Sequence, residues 1–285
     1  MSDLNKIAKE IRDVISEYQK KNELSFIEDT HTYFIKNKEG YIVSNLPSVS
    51  TVLHHFYTPF NAEGTRAFKN CGGDKAKETL LLETWAATGT YAAHKGSRVH
   101  FILEQELVDQ YGSYKEVRKP IFECDEEQIE DGDQMIIAGR EFLKLMHERG
   151  AVLLDTEMVL GSIEFGYTGQ PDKVWLMNDR EGNPGIVVTD WKSNKPKNFE
   201  VHSYTTLMKP PFEHHWDTAL AHYYLQLPLY AKLLLKMLEG TKYENIKFLG
   251  AIVVLVKKDG DFEEYRVPGE VVEKIMDMNM DDYLK

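Results

Sequence analysis

Residues 169–194 read GQPDKVWLMNDREGNPGIVVTDWKSN. Val174-Trp175-Leu176-Met177 and Ile186-Val187-Val188-Thr189-Asp190 are runs of strand length, and the polar stretch between them contains Gly182, Pro184 and Gly185. Two such runs around a Gly- and Asn-bearing turn predict a β-hairpin. Side chains alternate along a strand, so Asp190 and Lys192 share one face while Trp191 points to the other. Asp172 stands just before the first strand, after the Gly-Gln-Pro bend, where the hairpin register is expected to bring its carboxylate beside that of Asp190. The expected result is two carboxylates and one ammonium in a small volume.

Such a grouping suits phosphodiester hydrolysis. Hard divalent cations take oxygen ligands, commonly one or two carboxylates with water and substrate phosphate. Asp172 and Asp190 supply such a pair, and Lys192 is placed to position the attacking water or to stabilise charge on the phosphate. An Asp-x-Lys pair by itself is most often a solvated salt bridge worth little. The rest of the sequence carries the argument further.

Gly169-Gln170-Pro171-Asp172 and Asp190-Trp191-Lys192-Ser193-Asn194 resemble motifs II and III of the PD-(D/E)xK nuclease superfamily. The Asp-aromatic-Lys-Ser-Asn form is similar to the RecB-like branch, which includes recombination exonucleases, CRISPR-associated RecB-like nucleases, a mitochondrial genome-maintenance exonuclease and many phage proteins. Gly96-Ser97-Arg98-Val99-His100 resembles the Gly-x-x-x-His motif I of that branch, which implies that His100 ligates metal; Glu104, one turn on, is a candidate to orient its ring. Gln226 to Tyr230 resembles the Gln-x-x-x-Tyr motif, implying Gln226 and Tyr230 near DNA. Leu46-Pro47-Ser48-Val49-Ser50-Thr51 is similar to the hydroxyl-rich element before the nuclease core. Ser48 and Ser50 are natural helix N-caps, and the resemblance places them at a DNA phosphate. Glu157 matches a strand carboxylate of the family, either facing the metal or capping the sheet. The resemblance runs from about residue 26 to about 256.

What the resemblance implies is an α/β fold, a mixed central sheet flanked by helices of the restriction-endonuclease-like type, with a helical N-terminal portion. Residues 1–95 are expected to form an N-terminal helix, a β-meander and a helical wall, and residues 96–285 the nuclease core, as one continuous unit. Asp172, Asp190, His100 and the backbone carbonyl of Trp191 are the implied ligands of Mg2+ or Mn2+, with Lys192 and Glu157 as further catalytic candidates. The implied activity is that of a DNA exonuclease in phage-type replication, recombination or repair, with a single-strand or structure-specific endonuclease and a non-catalytic nucleic-acid-binding protein as the alternatives.

Composition bounds these readings. With 285 residues and 42% apolar content the chain can bury a sizeable core. No apolar run approaches the ~20 residues that span a bilayer, and residues 1–6 have no apolar signal core, so a cytoplasmic chain is expected. Cys71 and Cys124 are too few for an iron–sulfur cluster, which takes four ligands. No Gly-x-x-x-x-Gly-Lys loop is present, so a nucleotide cofactor is not expected and any helicase or single-strand-binding protein would be a separate chain.

The net charge of −12 argues against a bulk electrostatic grip on DNA. Locally the balance reverses, with Lys192, Lys195, Lys197 and Lys209 against Asp190 and Glu200, whereas residues 123–133 form a block of acid. Lys195 and Lys197 are therefore candidate phosphate contacts, and the aromatics of 196–211, Tyr204 among them, candidate partners for single-stranded bases.

Periodicity supplies the frame. It predicts a helix over 4–19, a β-meander over 26–43, helices over 75–85, 96–110 and 131–150, a strand over 151–160, a helix over 216–238 kinked at Pro228, a buried strand over 246–256, a strand over 262–267 and a final helix from Val271.

Overall fold

The computed structural model describes residues 2–58, 71–111, 124–203 and 205–284. At its centre β7 (Lys173–Asn178) and β8 (Pro184–Lys192) form the expected antiparallel hairpin, with Lys173 opposite Thr189 and Asn178 opposite Pro184. The turn closes on Asp179, whose carboxylate accepts the backbone N–H groups of Glu181 (2.9 Å) and Asn183 (2.8 Å). Gly182 takes φ +87°, a conformation that disfavours a Cβ.

A mixed five-stranded sheet grows from this hairpin in the order β10-β9-β8-β7-β4, where β4 is Val152–Thr156, β9 Lys247–Val256 and β10 Phe262–Arg266. β8 and β9 run parallel, and the other neighbours antiparallel. The parallel step requires a crossover, supplied by helix α5 (Ala219–Leu238). β8 is buried from Gly185 to Trp191, as a central strand covered on both faces must be.

Each face of the sheet carries its own core. Val174, Leu176, Ile186, Val188, Val253 and Leu255 face α1 (Ser2–Lys21), α5 and α6 (Gly269–Asp277). Trp175, Val187, Trp191, Val254 and Val256 face α3 (Lys75–Tyr111) and α4 (Glu126–Glu148). A small antiparallel sheet of β1 (Ser25–Ile27), β2 (Thr32–Lys36) and β3 (Ile42–Val43) leads into the single turn α2 (Val49–Val52). The chain ends in the short helix α7 (Asp281–Leu284).

Four sequence expectations change. The helices expected over 75–85 and 96–110 are one continuous helix, α3. Helix α4 begins at Glu126 rather than Asp131, because Asp125 and Gln128 form a reciprocal capping box. The strand expected over 151–160 stops at Thr156: Glu157 turns into the left-handed region (φ +45°), and the chain continues as a second two-stranded sheet, β5 (Leu160–Ser162) with β6 (Tyr167–Gly169). Helix α5 begins at Ala219 rather than Trp216, because Thr218 caps it by accepting the Ala221 N–H, and Pro228 lies within it. Among the described residues no helix is long and apolar enough to cross a membrane.

Candidate metal centre

The hairpin register that pairs Lys173 with Thr189 sets Asp172 opposite Asp190 at the open end of the sheet. Both are buried, at 8% and 3% exposure. Asp172 Oδ2 accepts the Trp191 backbone N–H at 2.7 Å, which locks the carboxylate across the two strands. His100 comes from α3, on the other layer, and its Nδ1 lies 3.3 Å from the same Oδ2. Gly96 permits this approach: a Cβ there would lie 2.9 Å from Ser193 Oγ.

Glu157 completes the group. Its N–H donates to the Asp172 carbonyl (3.0 Å) and its carbonyl accepts Gln170 Nε2 (2.8 Å), so the left-handed turn is tied to the bend that carries Asp172. Ligand atoms of His100, Glu157 and Asp172 all lie within 4.8 Å of one another. One imidazole and two carboxylates at this spacing are a donor set that could hold a metal ion. Asp190 is not one of the three; its Oδ2 contacts the Lys192 ammonium.

The two aspartates are driven apart electrostatically. Burial pushes the Asp172 carboxyl up, but His100, Lys173 and Lys192 together outweigh it and hold it well below the ordinary carboxylate range. At Asp190 burial and the neighbouring Asp172 charge prevail over Lys192, and the carboxyl is raised. Burial disfavours the Lys192 ammonium, yet the Asp190 and Asp172 carboxylates raise it above its ordinary value, so Lys192 is a fixed cation. Lys173 is fully buried with its ammonium 4.4 Å from the centre of the Trp191 ring. Burial lowers its pKa.

Tyr223 is a member of the site that the motifs did not single out. Its ring covers the Lys192 ammonium at 4.4 Å, and its hydroxyl donates to Asn194 Oδ1 at 3.0 Å. The signal was available, since positions 223, 226 and 230 recur on one helical face. Gln226 Nε2 donates to the Tyr230 hydroxyl at 2.8 Å. Tyr230 is buried against Gly169, where a Cβ would lie 2.6 Å from Tyr230 Cε1. Burial first, and then Asp190, raise the Tyr230 hydroxyl well above its ordinary pKa, which keeps it neutral.

The remaining candidates lie further out. Ser48 caps α2 by accepting the Thr51 N–H at 3.3 Å and bridges to Thr168 in β6; Ser50 is exposed. Lys195 and Lys197 are exposed around the 3-10 turn Pro196–Phe199. The Glu104 carboxylate accepts the Thr156 hydroxyl at 3.4 Å. Tyr204 lies outside the described residues. Part of the acid block at 123–133 is paired with α3, through Lys95–Asp131 at 3.0 Å and Arg98–Asp133 at 2.6 Å.

No protein-family model matches this chain, and no curated protein matches it.

Proposed function

We propose that this chain is a divalent-metal-dependent deoxyribonuclease of the PD-(D/E)xK superfamily, RecB-like branch, acting as an exonuclease. One observation carries the reading: His100, Glu157 and Asp172, from three separate elements, present ligand atoms within 4.8 Å of one another. Beside them the hairpin sets the Asp190–Lys192 ion pair, whose ammonium lies against Tyr223.

Mg2+ or Mn2+ held by His100, Glu157 and Asp172 would acidify water and offset charge on the phosphate. The chain's own groups do the rest. Lys192, a permanent cation, orients the attacking water and attracts the phosphoryl oxygens; it is not the base that deprotonates the water. Asp190 holds that ammonium in place. Asp172, ionised and fixed by the Trp191 N–H, is preorganised as a ligand. Tyr230, neutral and held by Gln226, walls the pocket on the α5 side. The exposed Lys195 and Lys197 are the nearby phosphate contacts of the reading.

The test is digestion of end-labelled linear and covalently closed circular DNA with Mn2+ and with chelator. The proposal expects metal-dependent release of nucleotides from the linear substrate only, and folded but inactive D190A and K192A variants. Full activity in either variant overturns it. Nicking of the circle identifies an endonuclease, and intact label with DNA bound identifies a binding protein.

A further inference from the structure

Residues 205–218, ahead of α5, fold back on themselves as an arm. Met208 N–H donates to the His215 carbonyl (2.9 Å) and Asp217 N–H to the Thr206 carbonyl (2.8 Å), so Leu207 and Trp216 are antiparallel partners. The arm is anchored at both ends. Lys209 N–H donates to the Phe56 carbonyl at 2.7 Å, and Phe212 packs edge-on against the Phe56 ring at 5.2 Å. The Asp217 carboxylate holds His222 Nε2 at 2.6 Å, and that imidazole is stacked on Tyr57 at 3.8 Å.

A segment so well tied would be expected to bury its large apolar groups. Met208 and Phe212 do so, yet Leu207 is 52% and Trp216 48% exposed, whereas Trp175 and Trp191 are 2% and 1% exposed. Directly opposed cross-strand side chains lie close enough to form one flat apolar surface. Trp216 is also near the metal centre along the chain. Three extended backbone steps and four helical ones lead from it to Tyr223, at most about 16 Å. That is the length of about five stacked bases at 3.4 Å each. Lys195, Lys197 and Lys209, exposed on the stretch between β8 and α5, supply positive charge for a polynucleotide backbone, against the exposed Glu200 and Glu213.

We propose that Trp216, backed by Leu207, is a stacking platform for an unpaired nucleobase of a single-stranded polynucleotide whose backbone runs on to the metal centre. In a duplex both faces of an internal base are covered by its neighbours; only an unpaired base offers a free face to an indole. The arm thereby selects single strands over duplex. The inference takes the nuclease reading for the direction in which the strand runs, but the binding itself is measured without turnover.

The experiment uses the full chain and its W216A and W216F variants with fluorescein-labelled phosphorothioate oligo(dT) and a fully paired two-strand DNA duplex, followed by anisotropy in Ca2+. In parallel, hydrolysis of thymidine 5′-monophosphate p-nitrophenyl ester in Mn2+ reads the chemistry on a substrate too short to reach the arm. W216A should weaken oligo(dT) binding about tenfold or more, as loss of a base–aromatic stack does. W216F should retain most of the affinity, while duplex binding, ester hydrolysis and melting temperature stay unchanged. Equal oligo(dT) affinity in W216A and wild type, or an equal loss on the duplex, overturns the platform. If the wild type fails to hydrolyse the ester while W216A still loses oligo(dT), the nuclease reading falls and the platform stands.

Discussion

Replacing Glu157 by glycine should separate the stability of this fold from its capacity for metal. Glu157 holds φ +45°, and a left-handed conformation costs an L-residue about 1–2 kcal/mol. Glycine escapes that strain but loses roughly 0.5–1 kcal/mol to the greater freedom of its unfolded chain. Both backbone hydrogen bonds at the position, to the Asp172 carbonyl and from Gln170 Nε2, survive the change. The variant also removes a negative charge that lies beside Asp172 but supports the buried Lys173 ammonium, so the two electrostatic effects oppose each other.

Without metal, E157G should therefore match the wild type or exceed it by about 1 kcal/mol, roughly 2 °C in melting temperature for a chain of this size. With Mn2+ the order reverses. A ligand at a hundredfold excess over its Kd stabilises the native state by ~2.7 kcal/mol. A variant short of one carboxylate ligand should bind at least about tenfold more weakly, since even supporting partners of metal ligands are worth that much. Melting curves across a Mn2+ series, with a chelator baseline, measure both effects. E157Q, which retains the strain but not the charge, should lose the Mn2+ shift without glycine's relief. The reasoning is refuted if E157G melts several degrees below wild type in chelator, or if it retains the full Mn2+ shift.

Three further outcomes follow from single contacts. Y223L, which strips the ring from the Lys192 ammonium, should lower kcat about ten- to thirtyfold with KM nearly unchanged, whereas Y223F should stay within a few-fold; equal loss in both would assign the effect to the Asn194 hydrogen bond. G169A pushes a methyl to within 2.6 Å of the Tyr230 ring and 2.8 Å of Val49, and should destabilise by ~1–3 kcal/mol, read as a lower urea midpoint at constant slope. Burial, opposed by Asp217, holds the His222 imidazole below its ordinary 6.5. The unfolded chain thus takes up that proton first as pH falls, and stability should drop from about pH 6.5 downward, by at most ~1.4 kcal/mol per pH unit. H222Q should flatten that component in urea titrations at pH 7.5, 6.5 and 5.5, and parallel curves would exclude it.

The central hairpin was legible because two independent signals agree there, β-branched runs of strand length and an Asn/Gly turn. Its register then followed well enough to place Asp172 opposite Asp190. The turn at Glu157 was not legible: nothing in the residues 151–160, AVLLDTEMVL, marks one glutamate as left-handed, and the apolar content runs through it. The small β5–β6 sheet was lost for the same reason. Helix α3 read as two because residues 86–95, AATGTYAAHK, are too weakly apolar to sustain a periodic stripe. The acids at 125–127 read only as part of a block of acid, whereas Asp125 caps α4 and the next two occupy its first turn, where the helix dipole favours them. At the site, Asp190 and Lys192 are adjacent as strand alternation required. That Asp190 pairs with the ammonium while Glu157 joins Asp172 and His100 is a matter of three-dimensional packing, which no spacing rule encodes.

The imidazole of His100 descends from one side of the sheet, while Tyr223 and Tyr230 close in from the other. The two layers contribute different parts: α3 brings His100 to Glu157 and Asp172, and α5 lays Tyr223 over Lys192. A ribosome that has released the chain through Lys192 has delivered every acidic ligand and the fixed cation, but not yet the helix that covers them. On the nuclease reading proposed above, a chain that stops short of α5 has the charged groups but not the ring that covers the Lys192 ammonium, and docking of that layer completes the site.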